Sequence, residues 1–258
     1  YGACDYVMAP TEAIGDELRA QVPSTRVRTW ARGVDPDLFH PGRRSEAWRL
    51  DQGFDPDRPV IVFLGRIVME KGLAAFAEAI RLIEVAGHRP QVLIIGDGPA
   101  RAWFEDRLPG AAFTGFLSGE PLATALASGD IFFNPSTTET FGNVNLEAMA
   151  CGLAMVCADA PNTRALLRHG RNARLCSDQP AAYGEALSEL IRIPETRRRL
   201  GVAALERSAA YRWSEILDEV VEVYAEALGV RTTTSTPRIA TRRHGAIVDP
   251  HAAGLASL

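Results

Sequence analysis

The sequence predicts an α/β protein built on a doubly wound parallel sheet. Three observations predict it. From Pro59 onward, short and largely apolar runs fall at 60–64, 91–95, 111–114, 131–133, 154–157 and 173–176. Strands apolar on both faces are covered on both faces, which marks a parallel sheet between two helix layers. Longer amphipathic stretches separate the runs, at about 72–86, 99–108, 120–128, 142–151, 162–168 and 179–192, so strand and helix alternate as crossover connections require. Finally, glycines and charged residues gather just after the apolar runs, and a doubly wound sheet holds its ligand at the carboxyl ends of its strands.

Residues 1–42 read as a strand at Tyr6–Ala9, a helix at Thr11–Gln21 with Thr11 as its N-cap, and a strand at Arg26–Trp30. The loop Arg32-Gly-Val-Asp-Pro-Asp-Leu-Phe-His-Pro41 follows. Asp35-Pro-Asp37 and Asp55-Pro-Asp57 are Asp-x-Asp strings, but a central Pro suits a turn, and no further oxygen ligands converge on them, so no metal is expected. The first long apolar run ends in Leu64-Gly-Arg-Ile-Val-Met-Glu-Lys-Gly72. This is not a Walker A loop, because the Gly-x-x-x-x-Gly-Lys-Ser/Thr order is absent. Arg66 offers a planar fork and Lys71 a mobile point charge, which together suit phosphate oxygens. A basic pair in a turn is, on its own, usually a solvated surface; paired with the helix start at Gly142 it completes a diphosphate clamp.

The second run ends in Gly96-Asp-Gly-Pro99, which lacks the third glycine of a dinucleotide fingerprint. The third leads to Phe113-Thr-Gly-Phe-Leu117. The fourth, Ile131–Phe133, stops at Asn134-Pro-Ser136; a polar loop carries Glu139, and a helical pattern runs from about Gly142 to Cys151-Gly152. A helix starting there turns its free N–H groups, with a dipole equivalent to about +0.5 charge, toward the strand end. Gly142 lets an oxyanion approach bare backbone. Glu139 and Glu147 flank this pocket, and helical side chains tilt toward the N-terminus, so Glu147 can reach back to a ligand held there. Acids beside a phosphate are best used to accept from hydroxyls, which describes a sugar nucleotide. A loop acid and an exposed helix acid would be the plain alternative. Thr163, Arg164, His169 and Gly170 follow the fifth run, with His169 read as a solvated helix end.

Residues 194–211 form an Arg- and Ala-rich helix whose Arg197-Arg-Arg199 run is either a solvated face or a contact for an anionic membrane surface. The last helix, Trp213–Leu228, carries Trp213, Ile216, Leu217, Val220, Tyr224 and Leu228 on one stripe. Beyond Gly229 no period survives, and 231–258 read as a disordered tail.

Composition sets the limits. The chain has 258 residues, 47% hydrophobic and 23% charged, with a net charge of −4, so it can bury a full core and has no basic field for nucleic acid. No apolar stretch approaches the roughly 18 residues of a membrane span. Cys4, Cys151, Cys157 and Cys176 sit singly in apolar surroundings without metal spacing, and read as reduced core residues of a cytoplasmic protein. Of the 28 basic residues every one but Lys71 is Arg, and that lone Lys falls in a strand-to-helix turn.

The segment Glu139-Thr-Phe-Gly-Asn-Val-Asn-Leu-Glu147-Ala-Met-Ala-Cys-Gly152 resembles the Glu-x7-Glu motif of glycosyltransferase family 4, the retaining group 1 enzymes of GT-B fold. The turn at 65–72 is similar to the family's Gly-Arg-Leu-x-x-x-Lys-Gly, and 32–41 to its Asn-Gly-Val-Asp linker, with Arg32 in place of Asn. Gly96-Asp-Gly-Pro99 also matches, whereas Ala160-Pro-Asn-Thr163 replaces the usual Gly-Gly and polar pair. The resemblance implies a Rossmann-like C-terminal half of a GT-B enzyme. Residues 1–42 would be a linker and remnant of an N-terminal acceptor domain, and 43–230 the sugar-nucleotide-binding domain with its crossing helix. By the same resemblance Glu139, Arg66 and Lys71 serve catalysis. Gly65, Gly96, Phe116, Leu117, Thr140, Phe141, Gly142, Asn143, Val144 and Glu147 hold the donor.

The implied function is transfer of a hexose from an NDP-sugar, such as GDP-mannose or a UDP-hexose, to a lipid or polysaccharide acceptor. It needs no cofactor and no metal. The acceptor would bind through the N-terminal domain, and the enzyme would be cytoplasmic with peripheral contact at the inner membrane. Two alternatives remain at this level: a GT-B sugar-nucleotide epimerase or phosphorylase, and a nucleotide-binding fragment without activity of its own.

Overall fold

The computed structural model describes residues 3–23 and 26–230; the tail expected at 231–258 lies outside them. The chain opens with β1 (Tyr6–Ala9), α1 (Glu12–Gln21) and β2 (Arg26–Thr29), and the two strands pair in parallel with Tyr6 opposite Arg26. Thr11 caps α1 by accepting from the Ile14 N–H at 3.3 Å. Asp35 and Asp55 each accept from the N–H two residues on, at 2.9 Å, so both Asp-Pro-Asp strings are turns. A short helix α2 (Glu46–Asp51), which the sequence pattern does not announce, is capped by Ser45 through the Trp48 N–H.

The main sheet and its helices then alternate: β3 (Val60–Leu64), α3 (Leu73–Val85), β4 (Gln91–Ile95), α4 (Arg101–Arg107), β5 (Ala112–Gly115), α5 (Gly119–Ala127), β6 (Ile131–Asn134), α6 (Asn143–Ala150), β7 (Ala154–Ala158), α7 (Thr163–Leu166), β8 (Ala173–Cys176), α8 (Pro180–Arg192), α9 (Pro194–Ser208) and α10 (Trp213–Leu228). The sheet is parallel throughout, in the order β5-β4-β3-β6-β7-β8. That is a doubly wound, Rossmann-like order, and its direction reverses between β3 and β6.

Strand alternation sends successive side chains to opposite faces, and both faces are buried. Val60, Val62, Phe132 and Met155 join one core with Leu126, Leu146 and Met149 of α5 and α6. Ile61, Phe63, Phe133 and Val156 join the other with Phe76 and Ile80 of α3 and Leu187 of α8. In the second core Phe76 stacks on Phe133 at 4.7 Å and meets Phe63 edge-on at 5.6 Å, while Tyr183 leans on Phe133 at 5.1 Å. Truncating such a ring to Ala costs about 3–5 kcal/mol, so Phe76→Ala alone would remove much of a domain's net stability.

One expectation changes. Cys151, Cys157 and Cys176 are buried, but Cys4 is exposed and is not a core residue. The apolar stripe of α10 is covered only in part. Ile216 is covered, whereas Trp213, Leu217, Tyr224 and Leu228 are 38%, 49%, 67% and 76% exposed. The helix does cross back to the first segment: Arg28 bonds the Glu226 carboxylate at 2.9 and 3.2 Å, and Trp213 packs so close to Gly33 that a Cβ there would lie 2.7 Å from the indole. Periodicity identified an amphipathic helix, but only one edge of it faces the described residues.

Candidate functional site

The switch point between β3 and β6 lies between two loops, 65–72 and 135–142. The first leaves β3 at Gly65, passes through exposed Arg66, and tightens into a 3₁₀ turn at Met69–Lys71 that delivers Lys71 to the start of α3. The loop after β4 presses on it from one side. Gly96 sits at φ 135°, and a Cβ there would fall 2.0 Å from the Gly65 carbonyl oxygen, so position 96 needs glycine for backbone packing before any ligand is considered.

The second loop leaves β6 at Asn134 and ends at Gly142, whose φ of 85° starts α6 in the left-handed region. No side chain caps this helix end, and the Asn145 and Leu146 N–H groups both return to the Gly142 carbonyl. The N–H groups of Gly142, Asn143 and Val144 make no hydrogen bond among the described residues, as at any uncapped helix start. Beneath the loop lies a polar relay that sequence reasoning missed. The Asn134 amide donates to Asn145 Oδ1 at 2.8 Å and accepts from the Ser136 N–H at 3.1 Å. Asn145 is fully buried, and its Nδ2 has no hydrogen-bond partner. Two asparagines in otherwise apolar elements were the only available signal.

The loops are stitched together. Thr138 Oγ1 donates to the Glu70 carbonyl at 3.3 Å, and Pro135 packs against Gly72. Lys71 Nζ donates to Glu139 Oε1 at 2.7 Å, with side-chain exposures of 22% and 12%. The two residues that the sequence assigned to separate parts of a ligand are thus in direct contact. Glu147, on the fifth residue of α6, is half-buried, and burial alone pushes its carboxyl up to about 7. The same burial, with the Glu147 charge nearby, raises the Cys151 thiol to about 12, which makes it inert near neutral pH.

The remaining expected residues separate. Thr140 and Asn143 are exposed and Val144 is half-buried around the uncapped helix end. The Phe141 ring is buried edge-on to Tyr211 at 6.1 Å, so its side chain anchors the loop to the core. Phe116 is 78% exposed and Leu117 half-buried after β5, on the same edge of the sheet. Arg164 is held by Asp159 through contacts of 2.6 and 2.8 Å, which depresses the Asp159 carboxyl; both line, with His169, a separate cleft of about 520 Å³ beside α1. Thr163 is buried in α7. In the Arg197-Arg-Arg199 run, Arg197 and Arg199 donate to the Leu190 and Gly170 carbonyls, leaving Arg198 exposed without a hydrogen-bond partner among the described residues.

Fold and site together define a Rossmann-like α/β domain with an uncapped helix start, a cation and two carboxylates at its switch point. The comparisons narrow the class. Residues 58–192 match the family model described as glycosyl transferases group 1. The chain is 35% identical over 240 residues to a GDP-mannose-dependent alpha-mannosyltransferase of Mycolicibacterium smegmatis, an alignment covering 90% of this chain and 60% of that protein. It is 34% identical over 223 residues to the sulfoquinovosyl transferase SQD2 of Arabidopsis thaliana, covering 82% of this chain and 42% of that one. Its fold is similar to that of sucrose-phosphate synthase from Thermosynechococcus elongatus, with a TM-score of 0.78 at 21% identity over 88% of this chain and 59% of the other. The chain belongs to the group 1 glycosyl transferases. It spans 60% or less of the length of these two relatives. No helix among the described residues is long and apolar enough to cross a membrane.

Proposed function

We propose that this chain carries the donor site of a retaining hexosyltransferase, which takes a hexose from a nucleoside-diphosphate sugar. The observation that carries the reading is the switch-point cluster: an uncapped α6 start at Gly142, with Lys71 and Glu139 2.7 Å apart beside it. The diphosphate sits on the N–H groups of Gly142 to Val144, between Lys71 and Arg66. Glu139 accepts from sugar hydroxyls, and Glu147 from the ribose hydroxyls. Gly65, Gly96, Phe116, Leu117, Thr140, Phe141 and Asn143 complete the walls, with the base near the Phe116 turn.

The chemistry follows from where charge develops. Breaking the anomeric C–O bond sends negative charge onto the diphosphate as the sugar becomes oxocarbenium-like. Arg66, Lys71 and the α6 amides stabilise that leaving group, and one preorganised donor of this kind lowers a barrier by about 3–4 kcal/mol. Glu139 lies where it can face the positive anomeric carbon. The names of the relatives support a GDP-mannose or similar hexose donor. Residues 1–42 lead in from an acceptor-binding domain, and α10 crosses back toward it. With a lipid acceptor, the protein works peripherally at the inner membrane from the cytoplasmic side.

Calorimetric titration of the chain with GDP, UDP and ADP tests the reading. One diphosphate should bind, and Lys71→Ala and Glu147→Ala should each weaken it, the former about a hundredfold, while the melting curve stays cooperative. A folded chain indifferent to all three would sink it.

A further inference from the structure

We propose that Glu139 sets the preference of this site for sugar nucleotide over bare nucleoside diphosphate, by competing with the diphosphate for Lys71. The inference rests on the donor-site reading above. Lys71 already has a partner: its ammonium donates to Glu139 at 2.7 Å. At 22% and 12% exposure this pair is shielded more than an ordinary surface pair, so solvent screens it less. It is also held from the backbone. Thr138 bonds the Glu70 carbonyl and Pro135 packs on Gly72, so neither loop swings away freely.

A diphosphate arriving at the α6 cradle must draw Lys71 from Glu139 or share it. In either case a carboxylate is left close to a phosphate, and two like charges in a half-buried site repel. A sugar on the diphosphate changes the balance. It places hydroxyl donors between phosphate and carboxylate, and Glu139 then exchanges an ammonium for hydroxyls. The pair therefore penalises the product more than the substrate, and the ion pair re-forms as the bare diphosphate leaves. Removing the acid from the site should make product bind more tightly.

The test titrates the chain and Glu139→Gln with GDP and GDP-mannose, UDP and UDP-glucose, and inorganic pyrophosphate. The expected result is about tenfold tighter binding of the bare diphosphate and pyrophosphate to Glu139→Gln, the factor given by 1.4 kcal/mol, with weaker binding of the matching sugar nucleotide. Glu139→Asp withdraws the carboxylate by one methylene and keeps its charge, so it should move the ratio less and in the same direction. Melting curves of both variants report folding, and the Asp variant decides the matter if the Gln variant is unfolded. Weaker or unchanged diphosphate binding in a folded variant overturns the inference alone. A wild-type chain that binds no probe overturns the donor-site reading and this inference with it.

Discussion

The two ends of strand β6 treat polar groups in opposite ways. At its start, Asp130 accepts from Arg44 at 3.1 Å, from Arg49 at 3.0 Å and from the Val60 N–H at 2.8 Å. Arg49 is 1% exposed and also donates to the Ser128 and Arg58 carbonyls, so this charge is almost enclosed by its partners. At the other end of the strand, the α6 start is uncapped, the Asn145 amide has no partner for its N–H, and Glu147 is displaced to about 7 by burial. One end is largely closed with internal partners, its one loose donor being the Arg49 Nε, which lies 3.3 Å from the Glu46 carboxylate without a hydrogen bond, and it holds the domain together. The other keeps donors and acceptors uncommitted, which lowers stability and leaves them for a ligand.

The sharpest way to break the comparison is Arg49→Met. Stripping a buried guanidinium from Asp130 should cost about 3–5 kcal/mol in urea denaturation. Nucleotide affinity per folded molecule should not change, because the site lies at the far end of the strand. Lys71→Ala should shift the balance the other way: diphosphate affinity falls about a hundredfold by calorimetry, while stability falls by less than in Arg49→Met, because the ammonium removed is 22% exposed where the guanidinium is 1% exposed. Equal losses of stability in the two variants would erase the distinction between the ends.

Glu147 sharpens it further through pH. Its carboxyl is raised from an ordinary 4.5 to about 7 in the folded state, so the fold binds the proton more tightly than the unfolded chain does. Its contribution is complete below about 4.5 and is lost as pH rises to about 7, on the order of 2–3 kcal/mol across the window. Glu147→Gln should therefore melt higher than wild type at pH 8, with the gap closing toward pH 4.5. If Glu147 accepts from ribose as an anion, donor affinity should weaken below pH 7 in wild type and be flat, though poorer, in the Gln variant. The smallest effect concerns the relay: Asn145→Ala leaves the Asn134 amide unpaired and should lower stability by about 1–2 kcal/mol in the same urea assay.

Much of this architecture was legible in the residues. The largely apolar runs at 60–64, 91–95 and 131–133, short and bounded by turn residues, read as strands buried on two faces, and the structure has them as β3, β4 and β6. Lys71, Glu139, Gly142 and Glu147 stood out by type and place at the strand ends, and the resemblance of 139–152 and 65–72 to the family motifs gave them their roles. The Asn134–Asn145 relay was not legible: a buried asparagine looks like an exposed one until its neighbours are known. The exposed stripe of α10 was hidden for a related reason, since periodicity reports which residues share a face but not what covers it.

Sequence alone determined the sheet strands and every helix but α2, along with the strand ends where the glycines and charged residues gather, because these depend on local periodicity and turn residues. Tertiary structure decided three things. Strand order put β3 beside β6, and so brought residue 71 to residue 139 across 68 positions of chain. Burial then moved Glu147 to about 7, while the identically charged Asp130 gained partners instead. Contact across the switch point joined Lys71 to Glu139, a pairing set by the distance between two loops that the sequence leaves far apart.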